Sequence, residues 1–182
     1  MTSEIKSAYL AAEGLTEPLL DELDGVIAVH DRLILSSKPF IDAHWAQNIW
    51  RTPQIVHIDS INDAAKKLKA IQRNWCLYSY QLHRRAKLIE ENLNTNQKKP
   101  IIFPSLLSPA PPGSFALLDE NNLLASTECS SPFPNGEAHF VEDKEGPPNR
   151  AYLKLYESLT LAGTRPQPGE FCIDVGGSPG GW

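Results

Sequence analysis

The last twelve residues constrain this chain most. Phe171-Cys172-Ile173-Asp174-Val175 is a short apolar run carrying one acid, and Gly176-Gly177-Ser178-Pro179-Gly180-Gly181-Trp182 follows at once. A buried strand that opens into a glycine-rich turn is how a nucleotide-type cofactor is received at the carboxyl end of the first strand of a doubly wound sheet. Glycine has no Cβ, so the backbone turns sharply there and a ligand approaches it closely. A helix and further strand–helix units are expected after such a turn. The sequence stops at Trp182, so the expectation is the opening of a cofactor site, and a chain inactive by itself.

Composition narrows the remaining classes. With 41% hydrophobic and 21% charged residues, the chain reads as an ordinary globular protein, not a collagen-like or low-complexity one. Met1 to Ser7 has no basic segment leading into an apolar stretch, and no apolar run approaches the roughly 18 residues of a membrane span. The expected location is the cytoplasm, without membrane attachment. Cys76, Cys129 and Cys172 are odd in number and form no C-x-x-C pair, which argues for structural thiols and against a disulfide framework or zinc knot. His30, His44, His57, His83 and His139 lack metal-ligand spacing, so no metal is expected.

Charge is uneven. The formal net charge is −5, yet Lys66 to Lys99 holds nine bases against Glu90 and Glu91. A basic segment in an otherwise acidic chain suits a polyanion-facing surface. Lys66, Lys67, Arg73, Arg84, Arg85 and Lys87 are the candidate RNA-contacting residues, with Lys69 on the same flank. Trp75, Tyr78 and Tyr80 lie between them and could stack on bases if exposed. Two solvated helix faces are the plainer explanation of the same charges.

Along the chain, Ser7 to Ala12 predicts a strand, Leu15, Leu19, Leu20 and Leu23 a helix ended by Gly25, and His30-Asp31-Arg32 a hairpin turn between Val26 to Val29 and Leu33 to Leu35. Trp45, Ile49 and Trp50 suggest a short helix or turn, and Ile55 to Ile58 a strand. Ser60 and Asp63 resemble a capping pair before the apolar face Ile61, Ala64, Ala65, Leu68 and Ile71. Trp75 to Tyr80 predicts a strand and Leu82 to Leu93 a helix. Asn92 to Lys99 predicts a loop, Ile101 to Phe103 a short strand, and the four prolines between Pro104 and Gly113 an irregular connector. Asp119 to Asn122 predicts a second hairpin turn, and Glu137 to Val141 one more strand. Glu142 to Pro148 is the expected domain boundary. Asn149 then caps a helix whose stripe is Tyr152, Leu155, Tyr156 and Leu159, ending at Gly163.

Two segments taken together resemble a known family. Pro148-Asn149-Arg150-Ala151-Tyr152-Leu153-Lys154-Leu155-Tyr156-Glu157, a short loop, and Cys172 to Trp182 resemble the FtsJ-type RNA 2′-O-ribose methyltransferases, whose signature is an S-R-x-x-x-K-L-x-E helix before D-L-G-x-x-P-G-G-W. Leu123 to Ser126 and Ser131 to Phe133 look like the subfamily that modifies a cytidine ribose in large-subunit ribosomal RNA, the methyltransferase M group. The resemblance implies an α/β chain. Residues 1–145 would form a ferredoxin-like and THUMP-like α+β RNA-binding region, and residues 146–182 would start a class I, Rossmann-like methyltransferase domain.

The resemblance also implies roles. Lys154 matches the first lysine of the family's Lys-Asp-Lys-Glu catalytic set. Ser178, Pro179, Gly180 and Gly181 match the loop that holds S-adenosylmethionine, with Asp174 and Gly176 shaping its floor. Ala151 stands where the subfamily has a serine near the methionine end, leaving backbone N–H groups at a helix start to receive the carboxylate. Gly177 replaces a small residue. The other members of the set have no counterpart here. Such a site needs a basic amine because a ribose hydroxyl is a poor nucleophile at neutral pH. The implied partner is large-subunit ribosomal RNA, the implied role rRNA processing, and no protein partner is implied. An RNA-binding module without catalysis is the alternative. A dinucleotide-binding oxidoreductase fits less well, because the loop has Pro-Gly-Gly where G-x-G-x-x-G would be wanted.

Overall fold

The computed structural model of the protein describes residues 4–93, 99–105, 107–108, 110–173 and 175. The chain divides into two compact units, Met1–Lys98 with Ala110–Glu137 and Lys99–Pro109 with Ala138–Trp182. The expected boundary at 142–148 lies inside the second. The fold is mixed α/β, with two four-stranded sheets and four α-helices among the described residues.

The first sheet grows from a small, apolar strand. β1 (Ser7–Ala11) is buried along its whole length, with Ala8 and Leu10 entering one apolar cluster and Tyr9 and Ala11 another. α1 (Thr16–Glu22), β2 (Val26–His30), β3 (Leu33–Ser36) and β4 (Ala46–Trp50) follow. Strand order is β2-β3-β1-β4, and every neighbour is antiparallel. Asp31, at the β2–β3 turn, has φ of 56°, a left-handed conformation that a short polar side chain tolerates.

β4 corrects the helix or turn expected at Trp45, Ile49 and Trp50. The residues pair in strand register with β1, Ala8 opposite Trp50 and Tyr9 opposite Ile49. Their spacing fits a helix locally, but alternation puts Trp50 in one core and Ile49 in another. Pairing with a strand some forty residues earlier decided it.

The second sheet is built from β5 (Gln54–His57), α2 (Ile61–Ile71), β6 (Trp75–Leu77), α3 (His83–Leu93), β7 (Gly113–Leu117) and β8 (Asn122–Ser126). Its order is β5-β8-β7-β6, with β6 parallel to β7 and the other neighbours antiparallel. The Ser60 hydroxyl accepts from Asp63 N at 3.1 Å, and an Asp63 carboxylate oxygen accepts from Asp59 N at 3.1 Å, so the capping pair forms. Gly113 is required where β7 starts: a Cβ there would lie 2.7 Å from Ser126 O and 2.8 Å from the Trp75 ring.

Three apolar clusters order these elements as four layers. Leu19 and Leu23 of α1 and its C-cap cover Tyr9, Ile34 and Ile49 on the outside of the first sheet. The opposite face, Ala8, Leu10, Leu33 and Leu35, packs on Ala116 and Leu124 of the second sheet. Phe115, Leu117, Leu123 and Ala125 point the other way, into Ala64, Ala65 and Leu68 of α2 and Ala86, Ile89 and Leu93 of α3. Period-two alternation along β1, β3, β7 and β8 assigns each residue to its layer.

The second unit is organised by α4 (Tyr152–Ala162). Gly163, at φ 65°, closes the helix and its N–H reaches Leu159 O at 3.1 Å. Tyr156 stacks on Phe103 with centroids 3.9 Å apart and meets Phe140 and Tyr152 edge-on. The Tyr152 hydroxyl accepts from Asp143 N at 2.8 Å.

Several expected strands are shorter or not formed. β6 ends at Leu77; Tyr78 N still donates to Phe115 O of β7 at 2.8 Å, and Ser79 and Tyr80 lie beyond the strand. Residues 101–103 and 137–141 contribute one bridge, Ile101 to Phe140. Phe171, Ile173 and Val175 are 89%, 73% and 91% exposed and in no strand, because no neighbouring strand among the described residues pairs with them. Most of the loop expected at 92–99 falls at 94–98, outside the described residues, while Asn92 and Leu93 belong to α3.

Candidate functional site

The basic segment maps onto α2, α3 and the turn between α2 and β6. Packing through Ala64, Ala65, Leu68, Ala86, Ile89 and Leu93 fixes which faces are left to solvent. Asn92 Nδ2 donates to Asn62 Oδ1 at 3.0 Å, tying the two helices together. Lys66, Lys69, Arg73 and Arg84 are exposed, with no hydrogen-bond or ion-pair partner among the described residues.

The other candidates are paired or half-buried. Lys67 Nζ lies 2.7 Å from Asp63 and donates to His57 O at 2.9 Å. The Lys67 ammonium on Asp63, together with the Asp59 N–H, holds the Asp63 carboxyl below the usual carboxylate range. Lys87 Nζ sits 2.8 Å from Glu90. Arg85 is half-buried, and its Nε is buried without a hydrogen-bond partner. The structure thus separates six sequence candidates into three open cations, Lys66, Arg73 and Arg84, two paired ones, Lys67 and Lys87, and the half-buried Arg85, and adds Lys69 to the open group.

The aromatic residues of the segment are not a stacking platform. Trp75 is fully buried, its Nε1 donating to Leu68 O at 2.9 Å. Tyr78 is 7% exposed. Its hydroxyl donates to Asp31 Oδ2 at 2.6 Å and accepts from Arg32 N at 3.2 Å. Burial first, then the Asp31 bond, pushes the phenol pKa up to about 12. Tyr80 is half-buried and stacks on His30 with centroids 5.0 Å apart, and burial pulls the His30 imidazole below its ordinary value. This His30–Asp31–Tyr78–Tyr80 group pins the β6–α3 connection on the β2–β3 hairpin, and so positions the start of α3. Sequence reading missed it because its members are almost fifty residues apart and only pairing brings them together.

On α4, Lys154 is exposed, with no ion pair or hydrogen bond from its amine among the described residues. Glu157, three residues on, does not hold it. Ala151 stands at the helix start, and its N–H already donates to Asn149 Oδ1 at 2.8 Å. The N–H groups of Leu153 and Lys154 donate to Arg150 O and Ala151 O at 3.1 and 3.0 Å. An anion received at Ala151 therefore has to displace the Asn149 side chain. Asp174, Gly176, Ser178, Pro179, Gly180 and Gly181 lie outside the described residues.

Among the described residues no group of three His, Cys, Asp or Glu side chains gathers as a metal site, and no helix is long and apolar enough to cross a membrane. Comparison of the chain with protein-family models, curated proteins and solved structures gives no match.

Proposed function

We propose that this chain is the RNA-recruiting portion and first catalytic helix of an S-adenosylmethionine-dependent RNA 2′-O-ribose methyltransferase acting on large-subunit ribosomal RNA. The observation that carries the reading is the C-terminal pair of motifs, with Lys154 open to solvent on α4 and the Asp174 to Trp182 segment after it. The first sheet supports it as well, since a β-α-β-β unit joined by a fourth strand in the order β2-β3-β1-β4 matches a ferredoxin-like element in strand order and direction. Lys66, Lys69, Arg73 and Arg84 offer the positive surface that an RNA substrate needs.

In this reading S-adenosylmethionine supplies a methyl group on a cationic sulfonium. The work of Lys154 is to orient or deprotonate the ribose hydroxyl, since an alcohol attacks poorly while it keeps its proton. The exposed cations on α2 and α3 hold the phosphates.

The test is a radiolabelled methyl-transfer assay on undermethylated large-subunit RNA, using the complete encoded protein and its Lys154→Ala variant. The expected result is label on ribose 2′-oxygen, lost by at least about a hundredfold in the variant, as for removal of a general acid–base group. Label on a base, or full activity in the variant, would overturn the reading. RNA binding without any transfer would select the non-catalytic module instead, a reading that the open cations of α2 and α3 favour.

A further inference from the structure

We infer that the outer face of α2 and α3 docks on the sugar–phosphate backbone of double-stranded RNA, without regard to sequence, and not on unpaired bases. This rests on the RNA-binding reading above and goes a step further, to the form of RNA taken.

Two kinds of contact distinguish the forms. Unpaired strands are held by a positively charged groove together with bases stacking on exposed aromatic rings. Duplex RNA hides its bases, and proteins meet it through phosphates and 2′-hydroxyls. The basic face here offers charge and, among the described residues, no exposed Phe, Tyr or Trp ring, its one exposed imidazole being that of His83 at the start of α3. Trp75 and Tyr78, the large aromatics nearest in sequence, are buried, and Tyr80 is half-buried against His30. Neither α2 nor α3 carries a Phe, Tyr or Trp. The large apolar side chains exposed on them, Ile71 and Leu88, are aliphatic and give a base no π-face.

The charges are also mounted stiffly. Lys66 and Lys69 project from a capped helix whose inner face is packed on the sheet, and Arg84 from a helix packed beside it. Arg73 follows in the short turn to β6. The packed helix backbones that carry these cations need no rearrangement to meet the equally fixed phosphates of a duplex, whereas a flexible strand has to be ordered at a cost. Lys67 and Lys87 add little, because Asp63 and Glu90 already neutralise them.

Fluorescence anisotropy with the full chain tests this, using a labelled RNA duplex of roughly 16 base pairs, long enough to present two minor grooves, and oligouridine of equal length. The duplex is expected to bind at least about tenfold tighter, and a shuffled duplex equally well. With four phosphates neutralised, log K against log salt should fall with a slope of about −3.6. Lys69→Gln and Arg84→Gln should each reduce that slope by about 0.9, and thermal melts check that both variants keep the fold. Equal or tighter binding of oligouridine, or an unchanged slope in both variants, would overturn the duplex inference while leaving RNA binding intact. Binding of neither RNA at low salt would overturn the RNA-binding reading as well.

Discussion

Cys129 Sγ lies 3.5 Å from Ser114 Oγ, and Cys76 stands opposite Ser114 where β6 and β7 pair. Both thiols are therefore inside the first unit, and burial pushes Cys76 up to about 12 and Cys129 above its ordinary value. Cys172 is exposed. A disulfide-exchange reagent at pH 8 should accordingly modify Cys172 quickly and the half-buried Cys76 and Cys129 slowly, since the thiolate is the reacting form and their raised pKa leaves little of it. Rapid modification of all three in the folded protein would contradict the burial described here. At this scale the sequence was informative about type and silent about direction. The spacing of Trp75, Tyr78 and Tyr80 among bases was visible, but which way each ring points depended on β6 ending at Leu77 and on Asp31 arriving from another sheet.

α2 shows how far a single element is readable. Ser60, Asp63 and the apolar stripe announced both its start and its buried face, because caps and helical periodicity act within a few residues. Ser60→Ala should cost about 1 kcal/mol in urea unfolding. Asp63 adds a pH dependence whose sign follows from its depressed pKa. Its contribution is complete above the ordinary carboxylate pKa and disappears as pH falls through the lower folded value. Asp63→Asn should therefore destabilise the protein at pH 7 and much less near pH 2, as read from paired denaturation curves. A penalty that stays constant with pH would refute the role given to the Lys67 and Asp59 contacts. β4 is the contrary case. Ala46 to Trp50 satisfies a helical spacing as well as a strand one, and its partner Ser7 to Ala11 lies far away in sequence. Of the strand expected at 171–175, the described residues Phe171, Cys172, Ile173 and Val175 lie in no strand, since a strand needs a neighbour that no local pattern supplies.

Across the whole molecule, the three apolar clusters draw only on residues between Ile5 and Cys129. Residues 4–137 alone should therefore unfold in one cooperative urea transition followed by the fluorescence of Trp45, Trp50 and Trp75. A gradual, non-cooperative transition would show that the layered core needs residues beyond Glu137. The α/β class, the four described α-helices and both hairpins were legible in the sequence, because helical and alternating periodicity, caps and turn residues are local properties. The basic segment and the Lys154 helix were legible too, as residue types at given spacings. Tertiary structure alone decided that two sheets stack face to face between α1 and the α2–α3 pair, that Trp75 and Tyr78 turn inward, and which cations stay open. Those outcomes depend on contacts between residues tens of positions apart, whose free energy exists only once the layers close.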